Sequence, residues 1–252
     1  MRNSLFGLIV ALLLAAPALA QDTTILAQGT TNLTPLLTKA AAAYEAAHPG
    51  AHIAVKGTSS GAGIASLKSG DIDVAASDVA VSDPSFVDTT IGVVGFAFVA
   101  NADAGVKNLT RDQLIGIFAG KIKNWSQVGG KDLPITIISR DIGTGTRLVL
   151  EQKVAKTLID TKIVGNADEV IKAVESTTGA LGYVATYFVG THTDLVVTYN
   201  GIEPSVENIR NHTYGFSTDE HLYVRTDAKA EARDFVSAVA ANKELLASEG
   251  IY

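Results

Sequence analysis

Glycine, serine and threonine are concentrated in two short segments of this sequence, at residues 57–63 and 140–147. The hydrophobic pattern predicts a strand before each segment and a helix after it. The first amides of a helix have no internal hydrogen-bond partner, and the helix dipole adds positive potential at that end. Glycine also allows the backbone to approach a ligand closely. Both segments are therefore suited to bind phosphate or another oxyanion.

A third predicted helix start, at residues 30–32, offers similar hydroxyl and amide donors. Three such starts that meet at one point would form an anion site, with Arg140 as its cation. Each segment taken alone is also explained by helix capping, because Ser, Thr and Gly are common cap and turn residues. The residues by themselves leave both interpretations open.

Residues 57–61 also satisfy the G-x-S-x-G pattern of the nucleophile turn in α/β-hydrolases. In this alternative the protein is a secreted serine hydrolase, with Ser59 as nucleophile and His192, His212 or His221 as its base. The short chain before Ser59 disfavours it, because such a turn normally follows several strands. The five histidines lack metal-ligand spacing. We therefore expect no metal, no cofactor and no catalytic residue.

The elements that must position these segments alternate between short apolar runs and helical patterns. Residues 25–77 are predicted to form strand, helix, strand, helix, strand, which is typical of a mostly parallel sheet covered by helices. The alternation continues to a closing helix at residues 228–241. The sequence therefore predicts an α/β protein. Two lobes would form if the chain crosses between them twice as extended strands, at residues 91–99 and 214–224.

The composition limits the class of protein further. The chain has 252 residues, with 20 Lys and Arg against 26 Asp and Glu, a net charge of −6 and no cysteine. Such an acidic chain is not expected to bind nucleic acid, and disulfides are excluded. Residues 1–20 combine a positive start, an apolar stretch and an Ala-Leu-Ala end, which predicts a signal peptide and a periplasmic location. No lipid anchor is expected, because the predicted cleavage site has no cysteine.

Several linked motifs, spread over nearly the whole predicted mature chain, carry a family resemblance. The segments concerned are Gly29–Pro35, Gly57–Gly63, Asp71–Asp78, Leu109–Leu114, Ile117–Trp125, Ser139–Arg147 and Thr178–Val184. Together they resemble the PstS-like family, the phosphate-binding components of bacterial phosphate ABC transporters.

This resemblance implies a periplasmic binding protein fold, in which two α/β lobes are joined by a double-crossover hinge and the ligand lies in the cleft. With crossings at the positions given above, lobe 1 comprises residues 21–93 plus 218–252, and lobe 2 comprises residues 94–217. The family consists of receptors without enzymatic activity. The resemblance thus implies that inorganic phosphate is the ligand and that an ABC transporter permease is the partner. We expect a monomer.

Carried over position by position, the resemblance also implies a set of ligand residues. They are Thr31, Asn32, Ser59, Asp78, Arg140, Thr144, Gly145 and Thr146. All would donate hydrogen bonds except Asp78, which would accept one from a protonated phosphate oxygen. Sulfate carries no proton near neutral pH, so a buried carboxylate opposite it would be an unpaired like charge. Without the resemblance, Asp78 would be interpreted as a helix cap or a solvated loop carboxylate.

Overall fold

The computed structural model describes residues 22–159 and 161–252, so the predicted signal peptide at 1–20 lies outside the described residues. No helix within those two ranges is long and apolar enough to cross a bilayer. The strands are β1 (Thr23–Gly29), β2 (Ala51–Gly57), β3 (Val74–Ser77), β4 (Phe86–Ala100), β5 (Asn108–Leu109), β6 (Thr136–Arg140), β7 (Lys162–Val164), β8 (Ala180–Ala185), β9 (Val196–Tyr199) and β10 (Ser217–Arg225). The helices are α1 (Thr34–Ala47), α2 (Ser60–Ser69), α3 (Arg111–Phe118), α4 (Gly145–Lys153), α5 (Ala167–Ser176), α6 (Val206–Arg210), α7 (Ala230–Ala241) and α8 (Lys243–Ser248).

The first half of the molecule is built on parallel strands. Strand β1 lies between β2 and β3 and is parallel to both, and β10 pairs with β3 in the antiparallel sense. An apolar core joins these strands to α1 and α7, through side chains such as Leu36, Val74, Leu222 and Phe235. The order of strands and helices agrees with the one predicted for residues 25–77.

The second half has a core of its own. Strand β8 is antiparallel to β4, and β6 lies between β8 and β7 and is parallel to both. Large side chains fill the interior, among them Phe98, Phe118, Trp125 and Tyr183. The indole N–H of Trp125 donates to the Gly179 carbonyl oxygen at 2.9 Å, which satisfies its one buried polar group.

Two antiparallel strands, β4 and β10, connect the two halves. Residues 86–95 of β4 pair with β10, whereas residues 96–100 of the same strand pair with β8. Strand β4 thus covers the first expected crossing, at residues 91–99, and β10 covers the second, at residues 214–224, from Ser217 onward. In addition, the backbone of Tyr252 exchanges two hydrogen bonds with Val93, at 2.8 and 3.0 Å. The first half is therefore completed by chain that follows the second half.

Thr34 followed by Pro35 predicts a helix that is capped by the Thr34 hydroxyl, but the observed start of α1 differs. A short 3₁₀ turn over Thr31–Leu33 precedes α1, and the Thr30 hydroxyl caps this turn by accepting from the Asn32 amide at 3.2 Å. Because the chain already turns there, Thr34 is the first residue of α1. The cap therefore lies four residues earlier in the sequence than predicted, directly after β1.

Thr110 and Gln113 have the spacing of a capping box, which predicts the start of helix α3 that the structure shows. Thr110 Oγ1 accepts from the Gln113 amide at 3.2 Å, and the Gln113 side chain accepts from the Thr110 amide at 2.8 Å, which completes a capping box. The helix ends at Phe118, and Gly120 follows with a φ of +72°, in the left-handed region that glycine tolerates.

Candidate oxyanion site

The site is centred on Asp78, which follows β3 directly and is fully buried. Three side chains donate hydrogen bonds to its carboxylate. Thr30 Oγ1 lies 2.6 Å and Ser60 Oγ 3.4 Å from Oδ2, and Asn32 Nδ2 lies 3.1 Å from Oδ1. Burial raises the pKa of Asp78 above its ordinary value, and the hydrogen bonds to its carboxylate reduce this shift without reversing it. These donors favour an ionised carboxylate that can only accept hydrogen bonds.

Strand order explains why these residues meet. Thr30 follows β1, Ser60 begins the helix after β2, and Asp78 follows β3. Because the three strands are parallel neighbours, their carboxyl ends lie at one edge of the sheet, where ligands bind in α/β proteins. Gly29 permits the close approach of β1 and β3, since a Cβ there would lie 2.1 Å from the Ala76 carbonyl oxygen.

The start of α4 lies against Asp78 from the other half of the molecule. A Cβ added to Gly145 would lie 1.1 Å from Asp78 Oδ2, so only glycine permits this contact. Beside it, Asn32 Nδ2 donates to Thr146 Oγ1 at 3.2 Å, and the Tyr187 hydroxyl donates to the Asn32 carbonyl oxygen at 2.8 Å. Residues of both halves therefore surround one carboxylate.

Arg140, the last residue of β6, brings a buried positive charge to this region. Burial lowers its pKa, and nearby acids including Asp78 oppose that shift, but arginine remains charged in proteins. Nη2 donates to the Gly165 carbonyl oxygen at 3.0 Å, while Nε has no hydrogen-bond partner among the described residues. Arg140, Thr31 and Asn32 line a pocket of about 140 Å³. A buried cation with an unused donor at a pocket favours an anionic ligand.

Three of the predicted ligand residues lie at the edge of this cluster. Ser59 Oγ accepts from the Ala62 amide at 3.1 Å and so caps α2. Thr144 Oγ1 donates to the Asp141 carbonyl oxygen at 2.8 Å within its own loop. Thr31 is exposed and lines the pocket beside Arg140. Their assignment as ligand residues stays a prediction.

Sequence reasoning missed two hydroxyl residues of the cluster, Thr30 and Ser60. Each lies next to a residue that was predicted, Thr31 or Ser59, in a segment that was correctly recognised as a helix start. Successive residues of a helical turn point in directions about 100° apart. A shift of the helix start by one residue therefore changes which hydroxyl faces Asp78. The sequence pattern does not define the helix start to within one residue.

The site also contains an acid that no sequence pattern indicated, Glu220 on β10. Its side chain is fully buried, and neither carboxylate oxygen has a hydrogen-bond donor in the described part of the chain. Burial raises its pKa well above the ordinary value, and the adjacent Asp78 adds to this shift. Glu220 therefore favours its neutral form.

The hydrolase alternative finds no support in the contacts of Ser59. Its hydroxyl is used as a helix cap, and no hydrogen bond joins it to a histidine in the part of the chain that the structure describes. His192 Nδ1 lies 2.6 Å from Glu175, and His221 Nδ1 lies 2.9 Å from Asp88. Both histidines thus have carboxylate partners, as a catalytic base would, but neither is hydrogen-bonded to the Ser59 hydroxyl among the described residues, so neither is placed to activate it.

Comparison with known proteins identifies the family to which this chain belongs. The model of the PBP superfamily domain matches residues 15–243. The phosphate-binding protein PstS of Bacillus subtilis is 30% identical over 216 residues, which cover 82% of this chain and 72% of that protein. The chain belongs to the PstS-like family of this superfamily. Its resemblance to PstS-like proteins, expected from the motifs, is thereby confirmed.

Solved structures share the fold of this PstS-like chain. An ABC-type phosphate transport receptor from Vibrio cholerae superposes with a TM-score of 0.81 at 28% identity, covering 90% of this chain and 98% of the receptor. A putative phosphate ABC transporter substrate-binding protein from Clostridium perfringens, solved with bound phosphate, gives a TM-score of 0.81 at 24% identity, with 91% and 98% covered. The predicted two-lobed periplasmic binding protein fold is confirmed.

Proposed function

We propose that this protein is an extracytoplasmic receptor that binds inorganic phosphate between its lobes and delivers it to an ABC transporter permease. The relatives are named as phosphate-binding proteins and phosphate transport receptors, which are binding proteins and not enzymes. One observation carries the proposal. Asp78, a buried acceptor, contacts the start of α4 at Gly145, while the buried guanidinium of Arg140 lines the adjoining pocket.

Phosphate binding favours closure of the lobes because its donors come from both of them. In this proposal Thr31, Asn32 and Ser59 donate from lobe 1. Arg140, Thr144, Gly145 and Thr146 donate from lobe 2. All these contacts form together only when the lobes are closed, so the ligand stabilises the closed state by its differential affinity. The direct hydrogen bond between Asn32 and Thr146 adds to this stabilisation.

The same proposal extends to organisation and location. We propose that lobe 1 comprises residues 21–93 plus 218–252 and that lobe 2 comprises residues 94–217. The change of pairing partner along β4, from β10 to β8, supports this division. We further propose that residues 1–20 are a signal peptide without a lipid anchor, that the receptor acts in the periplasm as a monomer, and that it does not bind nucleic acid.

Titration calorimetry of the purified mature protein with phosphate and with sulfate tests the proposed function. At about pH 7 we expect phosphate to bind with a Kd of about 1 μM or below and sulfate to bind at least about 100-fold more weakly. Equal affinities for the two anions, or no heat with phosphate, would contradict it. Ester hydrolysis that disappears in Ser59→Ala would favour the hydrolase instead.

Replacement of Arg140 by alanine is expected to weaken phosphate binding by about 10- to 100-fold, because hydrogen bonds to a charged group contribute about 1.5–3 kcal/mol. Arg140→Lys keeps the charge but loses the planar guanidinium, so we expect an intermediate affinity. Arg111→Ala, which removes an exposed arginine on α3, serves as the matched control. Wild-type affinity in Arg140→Ala would show that this side chain does not bind the ligand.

A further inference from the structure

Glu220 is a buried acid to which the proposed function assigns no role. It lies on β10 opposite Gly92 of β4, at the point where the register of the two strands shifts between Glu220 and His221. The side chain is 0% exposed, and neither of its oxygens has a hydrogen-bond donor among the described residues. An ionised carboxylate is strongly disfavoured in such a place. The neutral acid, which carries its own proton, needs an acceptor nearby.

The Asp78 carboxylate is the nearest candidate acceptor. Strand β10 pairs with β3 in the antiparallel sense, with His221 opposite Ser77, so Glu220 and Asp78 come next on the two strands as immediate neighbours, and both are fully buried. Two ionised carboxylates at this distance would repel each other and would have no donor between them, whereas one shared proton makes a hydrogen bond. Asp78 already accepts from Thr30, Asn32 and Ser60, and these bonds stabilise its ionised form. Glu220 has no such donors, so the proton belongs on Glu220.

The other charged and titratable groups around the pair agree with this distribution. Asp219, the preceding residue on β10, adds negative potential at Glu220 and opposes its ionisation. Tyr187 lies on the turn after β8. Burial raises the pKa of its hydroxyl, and the negative potential of Glu220 and Asp78 raises it further, so the hydroxyl stays neutral. Arg140 stabilises negative charge at Asp78. Within the described residues, no hydrogen bond from a cation reaches Glu220.

We propose that Glu220 is a specificity-determining positioning residue of the anion site, which as a neutral acid donates a hydrogen bond to Asp78 and keeps that carboxylate ionised. This inference rests on the proposed phosphate-binding function and deepens it. Ionised Asp78 accepts a hydrogen bond from protonated phosphate and repels sulfate. Without a donor at Glu220, Asp78 more readily takes up a proton itself, and a protonated Asp78 can donate to sulfate.

Two substitutions separate this role from simple packing. Glu220→Gln keeps the shape and a hydrogen-bond donor and is neutral at every pH, whereas Glu220→Leu keeps a similar volume without a donor. Calorimetry with phosphate and sulfate at about pH 6 gives the ratio of the two affinities for each protein. We expect Glu220→Gln to keep the wild-type ratio within about threefold, and Glu220→Leu to lose about tenfold or more of it.

An unchanged ratio in Glu220→Leu, or an equal loss in both variants, overturns the inference. A wild-type protein that does not bind phosphate would contradict the proposed function instead, so the two failures can be told apart. If Glu220→Leu does not fold, the ratio in Glu220→Gln and the unfolding measurement described next still decide the question.

Thermal unfolding tests the protonation of Glu220 without any ligand. Its pKa in the folded protein is raised above the ordinary value of 4.5, so its contribution to stability is full below that pH and is lost as the pH rises toward the folded pKa. Between about pH 5 and about pH 8, the unfolding temperature of the wild type should therefore fall more steeply than that of Glu220→Gln. Parallel curves would mean that Glu220 is not held neutral, and they would overturn the inference.

Discussion

Replacement of Gly145 by alanine is expected to lower the affinity for phosphate by about 100-fold or more, equivalent to about 2.7 kcal/mol. The added methyl group would lie 1.1 Å from Asp78 Oδ2, a distance that no packing adjustment at Gly145 itself can relieve. Asp78 would have to move, but its carboxylate is held by hydrogen bonds from Thr30, Asn32 and Ser60. The two lobes therefore could not approach fully around the ligand.

Calorimetry measures the affinity of this variant, and small-angle scattering with and without phosphate measures its closure. Gly61→Ala is the matched control, because Gly61 also lies in the first turn of a helix that begins in a glycine-rich segment. A Cβ at Gly61 meets no atom within 4 Å, and we expect wild-type binding there. If Gly145→Ala binds phosphate as tightly as Gly61→Ala does, the contact between Asp78 and Gly145 is not part of the bound state.

Replacement of Asp78 by asparagine is expected to change selectivity more than affinity. Asparagine is neutral, so it removes the negative charge that the Asp78 carboxylate places opposite the sulfate anion. Its amide can also donate a hydrogen bond to sulfate. We expect sulfate to bind about 100-fold more tightly than to the wild type, while phosphate binding weakens by about tenfold or less. The Thr30 and Ser60 hydroxyls can rotate to accept from the new amide, which limits the cost of the substitution.

Parallel titrations with both anions check this expectation, with Asp103→Asn as a control at an exposed aspartate. The informative quantity is the ratio of the two affinities, because a general loss of folding or closure would weaken both anions together. If the ratio of phosphate to sulfate affinity in Asp78→Asn matches that of the wild type, this carboxylate does not select phosphate by accepting a hydrogen bond from its proton.

Local signals in the sequence predicted much of the architecture. The alternation of apolar runs and helical patterns over residues 25–77 gave the right order of elements, since each element is defined by its own short-range pattern. The box at Thr110 and Gln113 fixed the start of α3, because the two partners lie three residues apart. The glycine-rich segments at 57–63 and 140–147 were correctly placed at helix starts. These features need no information from distant parts of the chain.

The composition of the cluster around Asp78 could not be predicted in the same way. Glu220 follows Asp78 by more than a hundred residues, and they meet only because β10 is paired between β3 and β4. Its neighbours Asp219 and His221 are also polar, so the pattern gives no sign that one of the three is fully buried. The contact of Gly145 with Asp78 likewise depends on how the two lobes meet, which family resemblance can suggest but a local pattern cannot.

The hydrogen bonds between Tyr252 and Val93 have a consequence for the order in which the chain folds. Residues of the second core follow one another without interruption, so that lobe can form as soon as its own segment is available. The first core cannot be completed until later, because it includes Leu222, Phe235 and Ile251, which are synthesised after the whole second lobe. A polypeptide that is secreted from its amino end would therefore keep its earliest strands without their final partners during most of its passage, and those strands would gain their full stability only at the end.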